Sequence, residues 1–390
     1  IVANKWLRAN YGEPLRRFLK KKKIIRIVDF GDLPVFSGAT TYPCIIQVTN
    51  GDSTDFKTSL IKTLDFESLA HEVQQTEFTV AVKDLDDKGW SLVNQSEAAL
   101  LRKIKNTGVP LDEYVDGKVY YGIKTGLNEA FVIDEETKQH LIQEDAKSAE
   151  IIKPFLEGKD IKRYEANANR KWLILLPNGW TRSQGIKSEK EGIAFLRQKY
   201  SAVMTWLQQH EAKAKERYDQ GEFWWELRAC DYYAEFEKEK IIYPNILKQP
   251  EFTLDSKKLY TNQKCFIIIS SEKYLLALLN SKFNAYLFKK FLPKLRGDFF
   301  EPSYVFFKNF PIRRIDENNA TETKARDRIV AFVHTIITQK ETLSHDQSLS
   351  PHQRDQLQRQ IDAADLEIDR LVYELYGLTK EEIKIIEGKE

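Results

Sequence analysis

Two β-branched runs around a loop rich in glycine and proline constrain this chain most. Ile24-Ile-Arg-Ile-Val-Asp-Phe30 and Cys44-Ile-Ile-Gln-Val48 each predict a strand, and Gly31, Pro34, Gly38 and Pro43 punctuate the stretch between them. Residues 10–23 read as a helix, with Pro14 near its start and Lys20 to Lys23 at its end, where cations suit the C-terminal dipole. Helix, strand, loop and strand in that order make the tail of an α/β unit. The loop carries an aromatic, Phe36, that faces no chemistry legible elsewhere in the chain.

Residues 52–95 are polar with scattered apolar positions and read as a connector. Residues 100–110 predict a short helix. Residues 118–122 and 129–133 predict strands around the turn Ile123-Lys-Thr-Gly-Leu-Asn128, and 172–176 another. Residues 193–220 carry a helical period, residues 241–243, 252–254 and 265–269 predict strands, and 274–288 a helix. Without a regular βαβ alternation, this middle region is mixed α+β. The end of the chain differs. Ile329, Phe332, Val333, Ile336 and Ile337 form one helical stripe, and Ile361, Ala364, Ile368, Leu371, Val372 and Leu375 another. Ser350-Pro351 starts the second helix, Gly377 ends it, and Thr379-Lys-Glu-Glu382 has capping-box spacing for a short third. The two long helices predict an antiparallel hairpin, packed on its own domain or serving as a spacer or partner surface.

Apolar residues at 42% and charged residues at 30% support packed cores, and 390 residues leave room for two or three domains. Lys plus Arg number 60 against 58 Asp plus Glu, so any nucleic-acid surface must come from local clustering. Cys44, Cys230 and Cys265 are far apart and never form a C-x-x-C, a reduced, cytoplasmic pattern. The six histidines have no ligand spacing, so no metal site is expected from His and Cys. No apolar run approaches the ~20 residues of a membrane span, so no membrane partner is expected. The opening Ile-Val-Ala-Asn-Lys5 is no signal peptide and reads like the middle of a domain, as in a piece of a longer protein.

Enzyme motifs are scarce. No G-x-G, P-loop or nucleophile elbow occurs. Glu157-Gly-Lys159, with Asp145 upstream, spells the core of a magnesium nuclease, but the tripeptide is common by chance. Basic clusters are more informative. Arg16, Arg17, Lys20 to Lys23 and Arg26 form one. Lys282, Lys289, Lys290, Lys294, Arg296, Lys308, Arg313 and Arg314 form a second, interleaved with ten aromatics between Phe283 and Phe310. Cations displace counterions from phosphate and flat rings stack on bases, although so many exposed rings would be an aggregation hazard and most belong in a core. Trp224-Trp225-Glu-Leu-Arg228 also reads as core, with Arg228 free to reach phosphate or guanine.

Several stretches, in order, resemble the C-terminal half of the TaqI-like N6-adenine DNA methyltransferases, and above all those fused to a nuclease in type IIG restriction-modification enzymes. They are IVANKWLRANYGEPLRRFL, VDFGDLPVFSGATTYPCI, GKVYYGIKTGLNEAFVID, IIKPFLEGKDIKRY, WWELRACDYYAEFEKEKIIYPNI, LLALLNSKFNAYLFKKFLPKLRGDFF, FKNFPI and IDRLVYELYGLTKEEIKIIEG. The resemblance implies an α/β remnant of a methyltransferase sheet over 1–63, a connector over 64–99, a mixed α+β target recognition domain over 100–316, and a C-terminal helical region over 317–390. It places Phe36 where the family stacks an aromatic on the flipped adenine, which has lost its partners in the duplex. The methyl-donor glycine motif and the Asn-Pro-Pro-Tyr motif are absent. The resemblance therefore implies no catalytic or cofactor-binding residue here, an inactive chain on its own, and S-adenosylmethionine and magnesium for a full-length parent. The expected partner is double-stranded DNA in a bacterial or archaeal cytoplasm. Candidate DNA-binding residues are Lys124, Thr125 and Asn128 in one turn, and Lys159 and Lys162 in the next. Lys248, Gln249, Thr253 and Asp255 flank a third, and Arg228, Lys294 and Arg296 complete the set. Cations there position phosphate, while Asn128 and Gln249 suit bidentate pairing with adenine.

Two rival readings stand beside this one. The chain is a protein-contact specificity subunit or a fragment of a BREX-type phage-defence methyltransferase, joining a partner or itself through the C-terminal helices or an exposed sheet edge. Or it is a free-standing hydrolase built on Glu157 and Lys159.

Overall fold

The structure, a computed structural model, describes residues 1–38, 41–166, 171–295 and 297–389. The first two runs form the expected strands, β2 (Lys23–Asp29) and β3 (Pro43–Thr49), paired antiparallel with Ile27 opposite Ile46 and Asp29 opposite Cys44. Alternation gives β2 two buried faces. Ile24 and Ile27 join Trp6, Leu19, Cys44, Phe56 and Trp90 on one side. Val28 joins Phe30, Ile61 and Val73 on the other. A register shift between Ile24 and Arg26 leaves Ile25 39% exposed.

The connector reading of 52–95 is corrected. This stretch holds strands β4 (Asp55–Leu60) and β5 (Glu77–Ala81), with a helix, Leu69–Thr76, between them. Together with β1 (Val2–Ala3) they make one sheet of order β1-β3-β2-β4-β5, so the sheet runs on past residue 63. The pattern hid this because β4 buries Thr58 and Ser59 fully and sends Ser59 Oγ to the Val73 carbonyl at 2.9 Å. A buried strand written in small polar residues has no apolar period to read.

The first predicted helix is shorter than expected, Glu13–Leu19 after a 3₁₀ turn. Arg16 on it is fully buried. Its guanidinium donates to the carbonyls of Trp6, Ala9 and Asp87, and to that of Lys88, so it staples three segments together. Arg17 pairs with Glu13, Lys20 with Asp87 and Arg26 with Glu77. The first basic cluster is thus largely consumed inside its own unit.

Residues beyond 95 build a larger α+β unit on two four-stranded sheets. Strands Val119–Tyr121, Cys265–Ile268, Lys240–Pro244 and Thr253–Asp255 form the first, all antiparallel. Tyr260–Thr261, Ile152–Leu156, Trp172–Ile174 and Val132–Ile133 form the second. All five residues of Lys240–Pro244 are buried, because both faces are covered. Ile241 and Tyr243 face helices Lys273–Asn280 and Lys282–Phe291, while Ile242 faces the second sheet with Trp224 and Trp225. Residues 129–133 are not one strand: Asn128–Phe131 is a helical turn and only Val132–Ile133 pairs. The helical period of 193–220 breaks into Glu189–Lys199, Ser201–Gln208 and Glu211–Glu216.

Of the ten interleaved aromatics, Phe283, Tyr286, Phe288, Phe300, Phe307 and Phe310 are buried. The C-terminal helices Ala320–His345 and Pro351–Leu375 form the expected hairpin, with Ser350 and Gln353 making a capping box. Ile329, Val333, Ile336, Ile368 and Val372 enter the same core as Leu275 and Phe283. Tyr376 donates to the Pro311 carbonyl at 2.8 Å and accepts from the Arg313 N–H at 2.9 Å. The hairpin therefore spends its apolar stripes on its own domain. Among the described residues, no helix is long and apolar enough to cross a membrane.

Candidate nucleic-acid interface

Three loops of the larger unit meet because glycines let their backbones touch. A side chain at Gly122 would run into the Asn262 carbonyl, and the Ile123 N–H donates to the Thr261 carbonyl at 2.6 Å. Gly126 has φ +71°, and a Cβ there would lie 2.7 Å from the Asp219 carbonyl. This close seating locks the 123–128 turn against both the 261–264 turn and the 217–220 loop.

Neighbouring clefts lie along these loops and share lining residues. The first, about 590 Å³, is lined by residues 123–129 with Asp219 and residues 262–264. The second, about 1130 Å³, is lined by Lys159, Lys162, Ile246, Lys248, Gln249 and Lys264, among others. Glu157, Asn262 and Lys264 line both. Lys248 also lines the third, about 750 Å³, which lies between the two units and reaches Asp29, Gly31 and Asp32 at the root of the Phe36 loop. The three clefts thus form a row, a broken groove, from the 123–129 turn to the first sheet.

The joint between the units is polar. Lys294 bridges Asp32 and Asp298, each at 2.8 Å. Partial burial works against its ammonium, but the two carboxylates outweigh it and hold its pKa above the ordinary lysine value. Arg8 donates to the carbonyls of Lys289 and Leu292. The Phe36 loop is tied at its root, where Asp29 accepts from Asn4 Nδ2 at 2.7 Å and from the Gly31 N–H at 3.0 Å. Leu33 and Val35 pack inward beside Val28 and Phe30, while Phe36 stays 43% exposed. Phe36 is not among the residues lining the third cleft.

The structure brings together Lys124, Asn128, Lys159, Lys162, Lys248, Gln249 and Lys294 along this groove. Lys124 pairs with Asp219 at 2.6 Å, and Arg228 reaches the same carboxylate at 3.3 Å. Lys159 pairs with Glu157 and Lys162 with Glu251. Lys248 lies over the Phe299 ring, 4.9 Å from its centroid. Three candidates are corrected. Asp255 is buried at 2% and accepts from Lys240 Nζ, so it cannot read a base. Thr253 is buried at 3% on strand Thr253–Asp255, where it cannot reach a base. Thr125 lines the groove but is also buried at 3%, and its hydroxyl donates to Asn128 Oδ1 at 2.6 Å, so it orients Asn128 instead of reading. Arg296 lies outside the described residues.

In the nuclease-like tripeptide the Glu157 carboxylate is engaged by lysines. Burial opposes ionisation of Glu157, yet hydrogen bonds from Lys171 and Lys159 outweigh it and hold the carboxyl below its ordinary range. Asp145 accepts from the N–H groups of Lys147 and Ser201. Among the described residues, no three His, Cys, Asp or Glu side chains converge to hold a metal ion.

Sequence reasoning missed Asn262 and Lys264, which line both clefts, Gln263, which lines the first, and Ile246, a 52% exposed apolar residue in the second. The polar turn Asn262-Gln-Lys264 between two apolar strands was the available signal.

Comparison with known proteins agrees with this geometry. Residues 153–312 match the family model of the TaqI-like C-terminal specificity domain. The chain is 24% identical over 319 residues to the type II methyltransferase M.BanIII of Aneurinibacillus aneurinilyticus, covering 70% of this chain and 51% of that protein. It is 23% identical over 332 residues to the type II methyltransferase M.PaeR7I of Pseudomonas aeruginosa, covering 78% and 54%. The chain thus spans about half the length of these curated relatives. Its fold is similar to that of the type IIL restriction-modification enzyme MmeI, solved in complex with DNA, with a TM-score of 0.61 at 14% identity. That likeness covers 99% of this chain and 48% of that one. Cleft walls at 157–162, 244–251, 262–264 and 294–301 all fall inside the matched family segment. Residues 153–312 are thus similar to a TaqI-like C-terminal specificity domain, and the chain as described is similar to part of type II methyltransferases.

Proposed function

We propose that the groove receives double-stranded DNA and that its loops read a target sequence for a type IIG restriction enzyme and N6-adenine methyltransferase. One observation carries the reading. Seven side chains from separate parts of the sequence line a row of three clefts that share lining residues and end at the root of the Phe36 loop. Exposed cations along it suit phosphate, and Asn128 and Gln249 suit base edges. Phe36, held outward on an anchored loop, suits stacking on an extruded adenine. The methyl donor, the magnesium ion and the groups that act on DNA would be supplied by parts of the parent outside this chain. Such a protein would work in phage defence in a bacterial or archaeal cytoplasm.

The test is selection of a randomised duplex pool on the purified chain at two salt concentrations. A motif that persists at the higher salt is the expected result. Binding without a motif, lost steeply with salt, would leave electrostatic attraction alone and sink the reading of a self-sufficient recognition module. A protein-contact role draws little support from the C-terminal helices, whose apolar faces are already buried.

A further inference from the structure

Tyr218 is 99% exposed, more than any other large hydrophobic side chain among the described residues. A lone exposed ring is ordinary on a floppy loop. This loop is held on both sides of the ring. Arg217 is buried, donates to the Thr125 carbonyl at 2.6 Å and the Trp224 carbonyl at 2.8 Å, and also to that of Glu226. Its guanidinium lies 4.3 Å from the Phe131 ring centroid. On the other side Asp219 ties Lys124 and Arg228, and its backbone seats against Gly126. So the residues before and after Tyr218 are pinned to the wall of the groove, and two cations meet at the carboxylate of its neighbour Asp219. Among the described residues, none covers the ring that this scaffold holds out.

We infer that Tyr218 is an aromatic wedge that packs into a base step of the bound duplex, with Lys124 and Arg228 on the neighbouring phosphates. This rests on the duplex-binding reading above. Anchored rings flanked by cations can unstack a step and add affinity that salt does not screen, whereas phosphate contacts add affinity that salt removes.

The experiment uses the full chain and the duplex recovered in the pool selection. Binding is measured by anisotropy at two salt concentrations for wild type, Tyr218→Ala, Tyr218→Phe and Lys124→Ala, and unstacked thymines in each complex are mapped with permanganate. Tyr218→Ala should weaken binding about ten-fold at both salts with an unchanged salt slope, and should erase a permanganate-reactive step that wild type shows. Tyr218→Phe should behave as wild type, since the ring and not the hydroxyl acts. Lys124→Ala should instead flatten the salt slope. Wild-type affinity and reactivity in Tyr218→Ala would overturn the wedge and leave DNA recognition standing. So would a loss accompanied by a flatter slope, which would make Tyr218 a phosphate contact. Failure of wild type to select any duplex would overturn both readings together.

Discussion

The two basic regions of this chain look alike in sequence and differ in what their charges touch. In the first, Arg16 is fully buried against backbone carbonyls and its neighbours close ion pairs within one small unit. In the groove, Lys159 is 72% exposed and Lys162 52%, each facing a single carboxylate at the surface. Exposed pairs of this kind contribute about 0–1 kcal/mol, so a phosphate can replace the carboxylate at little cost. A buried guanidinium that satisfies several carbonyls cannot be redirected that way, because each abandoned acceptor costs about 1–3 kcal/mol. Density of Lys and Arg along the sequence therefore does not locate a DNA surface; the partner of each cation does.

The sharpest way to break this contrast is Arg16→Ala. It should destabilise the chain by about 3–5 kcal/mol, read by urea unfolding, through the loss of a buried charged donor. A loss below about 1 kcal/mol would mean that the first cluster is a surface after all. Conversely, joint alanine substitution of Lys159, Lys162, Lys248 and Lys264 should leave stability within about 0.5 kcal/mol per site. It should weaken duplex binding about a hundred-fold and flatten the dependence on log salt by about 0.9 for each phosphate no longer neutralised. Unchanged binding would place DNA elsewhere on the molecule.

The contrast extends to acids. Asp369 is buried on the inner side of the second hairpin helix, where desolvation raises its pKa to about 6 against the opposing backbone N–H of Lys282. An acid whose folded pKa is raised costs stability as pH climbs from its unfolded value near 3.9 to about 6. Asp369→Asn should therefore gain on wild type across that window, by up to about 3 kcal/mol at pH 7, in paired thermal or urea unfolding. A difference that does not change with pH would show that the carboxyl is solvated. The smallest expected effect is at the joint. Asp32→Asn should cost below about 1 kcal/mol in stability but speed hydrogen exchange across residues 31–38, which Lys294 now tethers. Exchange at the wild-type rate would show that the Phe36 loop is held by Asp29 alone.

How much of this was legible followed from periodicity. Ile27 and Ile46 lie on β-branched strands, and Ile329, Val333, Ile336 and Ile368 on helical stripes, so both elements stood out and formed as expected. Thr58 and Ser59 lie in an equally buried strand but carry no apolar signal, which hides the second half of the first sheet. Thr253 reads as a groove residue because a strand end gives no sign of which parity faces inward; a shift of one residue exchanges the faces. Lys124, Lys159, Lys248 and Gln249 are each visible as loop residues, but their common groove depends on Gly122 and Gly126 seating against loops some 90 to 140 positions away, counted from the numbering. Asn262 and Lys264 gain meaning only from that seating.

Those two glycines have an effect on any attempt to remodel the groove. They key the 123–128 turn into two other loops, so the three behave as one machined part with interlocking teeth. A longer or bulkier turn would displace the opposite walls as well as itself. Exchanges confined to the outward side chains at 124, 128, 249 and 264 alter what the groove presents and leave its teeth engaged.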